Sequence, residues 1–414
     1  MPIRSAYAAP LLALLGLFPG ITGQPGTPKY ELLLRGGHVI DPRNAINAPR
    51  DVAIAAGRIA AVAPGIRPSD ASKTIEVAGL YVVPGLVDIH THVYAGTGEK
   101  GSYAGDNSVY PDGFTLRAGV TTIADAGSSG WRNFEDFKQR IVDRSRTRVL
   151  ALLNIVGHGM RGGAFEQDLA DMAVRPTVEM ASRHRGLIVG VKTAHYSGPE
   201  WTPVERAVEA GISADVPVMV DFGARRAERP VAELVTKKLR PGDIYTHVFS
   251  GLRGEQDPSG HVNVALWEGR KRGVLFDVGH GAGSFAWKIA VPALEERFLP
   301  DSISTDLHVA SSSGGMKDML NVMSKFLAMG MPLEGVVQRA TWNAARALKQ
   351  DGIGHLSVGA TADVAVLRVE RGEYGFVDSS GARLKGAQRL ACELTLRDGK
   401  IVYDLNGIAQ SDWR

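Results

Sequence analysis

The sequence predicts an α/β fold, a (β/α)₈ TIM barrel carrying a small β-sandwich domain built from both ends of the chain. Three observations carry that reading. Eight apolar runs of strand length alternate with helix-like segments between residues 80 and 356. Short alternating runs broken by turns fill residues 30–79 and return in 357–414. Several of the central runs end in His, Lys or Asp, and strand ends are where barrel enzymes keep their working residues. At 414 residues and 44% hydrophobic content, the chain is long enough to bury one large core and a satellite.

Taken in order, residues 1–23 read as an export signal: Arg4 gives a positive start, an apolar run covers 8–18, and small or neutral residues lead to Gly23. This predicts an exported protein, periplasmic or secreted. Pro10 and Pro19 interrupt the run, which is too short to span a bilayer comfortably, so no stable membrane anchor is expected. Leu32-Leu-Leu-Arg-Gly-Gly-His, Asp51-Val-Ala-Ile-Ala-Ala-Gly and Arg58-Ile-Ala-Ala-Val are small strands with glycine turns. The eight barrel strands are expected near 80–89, 120–124, 149–156, 187–192, 216–220, 243–248, 274–278 and 302–305. Helices are expected near 133–146, 203–214, 227–239, 285–297 and 316–329. Asp363-Val-Ala-Val-Leu and Leu394 to Tyr403, turning at Asp398-Gly399, bring the chain back to the small β domain.

Composition narrows the chemistry. Lysine plus arginine (47) nearly balance aspartate plus glutamate (44), so no broad basic field exists to hold nucleic acid; the expected partner is a small-molecule substrate, with a homo-oligomer left open. One cysteine, Cys392, rules out an internal disulfide and thiolate clusters. A bound metal must therefore use nitrogen and oxygen. No Gly-x-Ser-x-Gly elbow offers a serine nucleophile.

The strongest signal is Tyr81-Val-Val-Pro-Gly-Leu-Val-Asp-Ile-His90-Thr-His92, where the period of two sends both imidazoles to one side, ready to grip a cation such as zinc. Lys192 ends the apolar run Leu187-Ile-Val-Gly-Val. Burial favours its neutral amine, which can react with carbon dioxide to give a carbamate able to bridge two metals. Pairing with a nearby aspartate is the plainer role for it. His247 and Asp306 end later strands, and Asp306 also suits a helix N-cap. Asp125, His158, Arg161, His195, Tyr196 and His280 are weaker candidates for the pocket wall, Arg161 as a clamp for a substrate carboxylate.

These motifs, with Ala118-Gly-Val-Thr-Thr and Thr246-His247, resemble the amidohydrolase superfamily, in its dihydroorotase-like branch of amidohydrolase/deacetylase metallohydrolases. The resemblance covers nearly everything after the export signal. It implies a (β/α)₈ barrel with two divalent metals, usually zinc, bridged by a carboxylated lysine and a hydroxide. His90, His92, Lys192 and Asp306 would hold the more buried ion, and Lys192, His247 and Asp221 the other. Asp221 departs from the pattern, because in relatives the fifth strand usually ends in histidine. A carboxylate there either ligates or only hydrogen-bonds behind the ligands. The expected activity is hydrolysis of an amide or ester of a small acylated substrate, as in a deacetylase, with Asp306 as general base and then acid. Cutting a dipeptide, opening a cyclic amide or imide, and deamination are alternatives on the same frame. A metal-free scaffold homologue is the non-enzymatic one.

Overall fold

The computed structural model describes residues 28–221, 223 and 225–413; the expected export signal lies outside them. Two sheets organise the chain. The first is formed by β1 (Tyr30–Asp41), β2 (Ile46–Ala55), β3 (Arg58–Ala63), β4 (Ala71–Glu76) and β5 (Tyr81–Pro84) with the C-terminal strands. The second is a parallel sheet of β6 (Leu86–Thr91), β7 (Val120–Gly130), β8 (Arg148–Asn154), β9 (Ile188–Thr193), β10 (Val218–Val220), β11 (Ile244–Tyr245) and β12 (Leu275–Phe276), in sequence order. Helices lie between its strands, as alternating units require. β13 (Val364–Val377), β14 (Arg383–Arg397) and β15 (Lys400–Asp404) then return to the first sheet, whose order is β15-β14-β13-β5-β1-β2-β3.

Several expectations shift here. The strands of the small domain hydrogen-bond into one continuous sheet that branches at β1. The branch has a local cause. Gly36, at φ +76°, and Gly37 form an irregularity in β1, so that β4 pairs with the strand before it and β5 with the strand after it. Leu34, Val39, Val52, Ile54, Val82, Val364 and Leu394 pack into the core of this unit. The single strand expected at 80–89 is broken at Gly85, where a Cβ would lie 2.2 Å from Thr121 Oγ1; Tyr81–Pro84 stays in the first sheet and Leu86–Thr91 opens the second.

The strand expected at 302–305 forms no continuous ladder. The segment is joined to the two edges of the parallel sheet by single bridges, Asp277 to Ser302 and Thr91 to Leu307. Its polar groups turn instead to buried carboxylates: Ser302 and Ser304 hydroxyls donate to Asp277, and the Thr305 amide donates to Asp88. The helix expected over 133–146 is a short turn, Phe134–Phe137, continued by a wider π-type turn over Lys138–Val142. That over 227–239 is similarly reduced to Val231–Glu233 with a π-type turn, Leu234–Lys238.

The hairpin of β13 and β14 reaches back toward the segments that follow the parallel sheet. Past Val377 its tip binds the segment before helix Trp287–Glu295: the Phe285 amide donates to Ser379 Oγ at 3.1 Å and the Trp287 amide to Asp378 Oδ2 at 3.0 Å.

Candidate metal centre

The polar residues converge where the parallel strands end. His90 is the penultimate residue of β6, and His92 follows its last. Lys192 is the penultimate residue of β9, Asp221 follows β10, and His247 lies two residues beyond β11. His92 Nε2 stands 3.1 Å and His90 Nε2 3.7 Å from Asp306 Oδ1. Among the described residues this is the one trio of His, Cys, Asp or Glu whose ligand atoms lie within 4.8 Å of one another.

Neighbouring groups fix which nitrogen of His90 is free. The Thr246 hydroxyl donates to Asp277 Oδ2 at 2.7 Å, so its oxygen is left to accept from His90 Nδ1 at 2.9 Å. The lone pair therefore sits on Nε2, facing Asp306. His247 is set the same way, its Nδ1 donating to the Gly279 carbonyl at 2.5 Å. His92 Nδ1 contacts Ser128 Oγ at 2.9 Å. Burial lowers both strand-end histidines, His90 to about 4 and His92 to about 3, so both are neutral near pH 7. Burial works against the charged form of Asp306 too, but His308 beside it holds its carboxyl well below the usual range. Its Oδ1 is buried yet makes no hydrogen bond. Two neutral ring nitrogens beside a carboxylate oxygen that makes no hydrogen bond suit a divalent cation.

The backbone supports this convergence at a cost. His195, His247 and Asp306 all adopt the left-handed region, at φ +58°, +63° and +51°. Small residues let the pieces approach. A Cβ at Gly279 would fall 2.3 Å from Thr246 Oγ1, and one at Gly281 2.3 Å from Asp306 Oδ2. Lys192 is fully buried, its Nζ 3.2 Å from His90 Nε2 and 3.5 Å from Met219 Sδ. Burial lowers its pKa, which favours the neutral amine. A cavity of about 390 Å³ opens beside the trio, with His92, His195, Asp221, His247, Asp306 and His308 in its wall.

Known proteins are similar to this chain in sequence and fold. A model described as the amidohydrolase family matches residues 287–402. A deacetylase of Agrobacterium fabrum is 33% identical over 80% of this chain and 81% of its own length. The chain belongs to the amidohydrolase superfamily. A deacetylase of Enterococcus faecalis is 28% identical over 91% of this amidohydrolase and 99% of itself. Crystal structures of an adenine deaminase (TM-score 0.82, 27% identity, 91% of this chain and 100% of that one) and a dihydroorotase (TM-score 0.78, 29%, 90% and 99%) are similar in fold.

Not every sequence candidate reaches the cavity wall of this amidohydrolase. Arg161 pairs with Glu99 at 2.6 Å and lies over the Phe165 ring, so its fork is engaged away from the wall. His158 packs on Phe165, and the Tyr196 hydroxyl is bound to Glu200. His280 is buried behind the wall, stacked 4.5 Å from Phe285. Asp125 is buried as well, accepting from the Val93 and Ser128 amides. His195 does line the cavity.

Sequence reasoning passed over Asp277, Ser128, Glu166, Arg253, Tyr103 and His308. Asp277 follows β12 and carried the same strand-end signal as the others. Arg253 lies in a loop without period, and nothing in the sequence points from it to Asp221. Yet its Nη2 donates to Asp221 Oδ1 at 2.6 Å with both residues buried.

Proposed function

We propose that this amidohydrolase is a metal-dependent hydrolase that removes a small acyl group from an amide or ester, working in a closed (β/α)₈ barrel whose eighth stave is segment 302–307. The observation that carries the reading is the His90, His92 and Asp306 trio, within 4.8 Å and beside a cavity two of them line. Those three residues would hold a divalent ion, for which zinc suits the imidazole and carboxylate set. Such an ion supplies polarisation of the scissile carbonyl and a lowered pKa for the attacking water.

The chain's own groups do the rest. Lys192 Nζ, its neutral form favoured by burial, adds to carbon dioxide with loss of a proton, and the carbamate presents a further anionic ligand. Asp306 takes the proton from water as it attacks the acyl carbon. It returns that proton to the departing nitrogen or oxygen as the tetrahedral carbon collapses. His308 Nδ1 donates to the Asp306 carbonyl at 2.7 Å and Ser311 Oγ to the same atom at 2.8 Å, which holds the left-handed turn that aims the carboxylate. The likeness to deacetylases at 28–33% identity supports an acyl substrate. Export through residues 1–23 is part of the same proposal.

The test is a hydrolysis screen of metal-loaded protein with N-acyl amino acids, acyloxy acids and dipeptides, alongside dihydroorotate and adenine as family controls. Cleavage of an acyl substrate that Asp306→Asn loses even when assayed in saturating zinc supports the reading. Turnover of adenine or dihydroorotate alone overturns the acyl assignment, and undiminished activity in the Asn variant overturns the role of Asp306.

A further inference from the structure

The resemblance asks for a second cation held by His247 and Asp221, and the residues there do not fit one. Asp221 Oδ1 is taken by Arg253 Nη2 at 2.6 Å, and Arg253 is itself anchored through Nη1 to Ser250 Oγ at 3.1 Å. Both side chains are about 95% buried, so solvent screens the pair little. Asp221 Oδ2 lies between two imidazoles, 3.3 Å from His247 Nε2 and 3.3 Å from His195 Nε2. The other nitrogen of His195 faces Glu166 Oε2 at 2.7 Å, so that ring has a carboxylate at each end. His195, Asp221 and His247 do not bring their ligand atoms within 4.8 Å of one another, whereas His90, His92 and Asp306 do.

We propose that the Arg253 guanidinium stands in for the second metal ion: it neutralises Asp221 at the fifth strand end, and the protein binds one divalent cation tightly, at His90, His92 and Asp306. The inference rests on the metal-dependent reading above. A carboxylate committed to a buried guanidinium is a weak ligand, and a fixed positive charge on the same carboxylate repels a divalent ion. The exchange keeps a cation in the cavity wall, since Arg253 lines the same 390 Å³ space as His247 and Asp306. Its charge persists at every working pH and no chelator removes it. Among the sequence candidates, it also accounts for the aspartate at position 221, where a histidine could not pair with arginine.

The test counts metal. Protein is stripped, reloaded with excess zinc or cobalt, freed of loose ions by gel filtration and analysed by mass spectrometry of the elements. One ion per chain is expected for the wild type, and two for Arg253→Met, which releases Asp221. Arg253→Gln, which likewise removes the charge while keeping a group able to reach Ser250, offers a second variant should the first not fold, with two ions expected again. The cobalt form gives an independent readout: an uncoupled high-spin electron resonance signal in the wild type, and a coupled, diminished one in the variants. Two tightly held ions in the wild type overturn the proposal and leave the hydrolase reading standing. A single ion in both folded variants also overturns it, because the guanidinium would not be what excludes the second. No ion in the wild type overturns the metal-dependent reading itself.

Discussion

Gly281→Ala tests how closely the loop after β12 sets the carboxylate of Asp306. Position 281 has φ +57°, and a Cβ there would lie 2.3 Å from Asp306 Oδ2. Real Cβ atoms do not approach neighbours below 3.0 Å, so the carboxylate must retreat by about 0.7 Å or the loop must move with it. The left-handed backbone adds a penalty of about 1 kcal/mol for alanine. A displacement approaching 1 Å in a reacting group lowers turnover on the order of 100-fold. The metal, for which Asp306 is a proposed ligand, should be lost at lower chelator concentration. Gly283→Ala is the matched control, since Gly283 lines the same cavity, has no positive φ, and leaves open space of 4 Å around the point a Cβ would take. Steady-state kinetics on the best acyl substrate, with chelator competition and thermal melting, read out both variants. If Gly281→Ala keeps turnover and metal affinity within about threefold of Gly283→Ala, the loop does not position Asp306 and the steric argument fails.

Three further outcomes are expected. Lys192→Ala should lose most of its metal and activity, with partial recovery in small carboxylic acids that replace the carbamate; full metal content without them would remove the ligand role. Thr246→Val breaks the link from Asp277 to His90 Nδ1, and metal affinity should fall about 10- to 100-fold while the fold survives; unchanged affinity would show that the hydroxyl does not orient the ring. Lys325 is buried, donating to the Gly315 and Val377 carbonyls and to His280 Nε2, and burial lowers its pKa to about 7. Between pH 7 and the unfolded value of 10.5 the native chain binds fewer protons here than the unfolded chain, so stability rises with pH across that window. The difference between wild type and Lys325→Met in urea titrations at pH 7, 8 and 9 should grow by up to about 1.4 kcal/mol per unit in favour of the wild type. Parallel pH profiles would contradict this.

His90 and His92 were legible because a strand's period of two is local, and an apolar run marks where it ends. Lys192, His247 and Asp306 were legible for the same reason, each closing such a run. The break at Gly85 was not, because the reason for it is the Thr121 side chain on another strand. Segment 302–305 read as a strand, but its serine hydroxyls and the Thr305 amide are spent on Asp277 and Asp88. Arg253 and Asp221 lie 32 residues apart and meet only once β10 and the loop after β11 are side by side. Arg161 shows the converse. Its glycine-rich setting suggested a free clamp, while Glu99, 62 residues earlier, already occupies it.

Because β5 is seated between β1 and β13, a strand made early waits for one made late. About 280 residues separate Pro84 from Val364, which is roughly 15–60 s of synthesis at 5–20 residues per second. During that interval the β5 edge that β13 will cover has no partner from the nascent chain, and such edges invite association between molecules. A ribosome stalled before β13 therefore leaves a sticky fragment rather than a smaller enzyme, and a holding chaperone during synthesis should matter more to its yield than any aid after release.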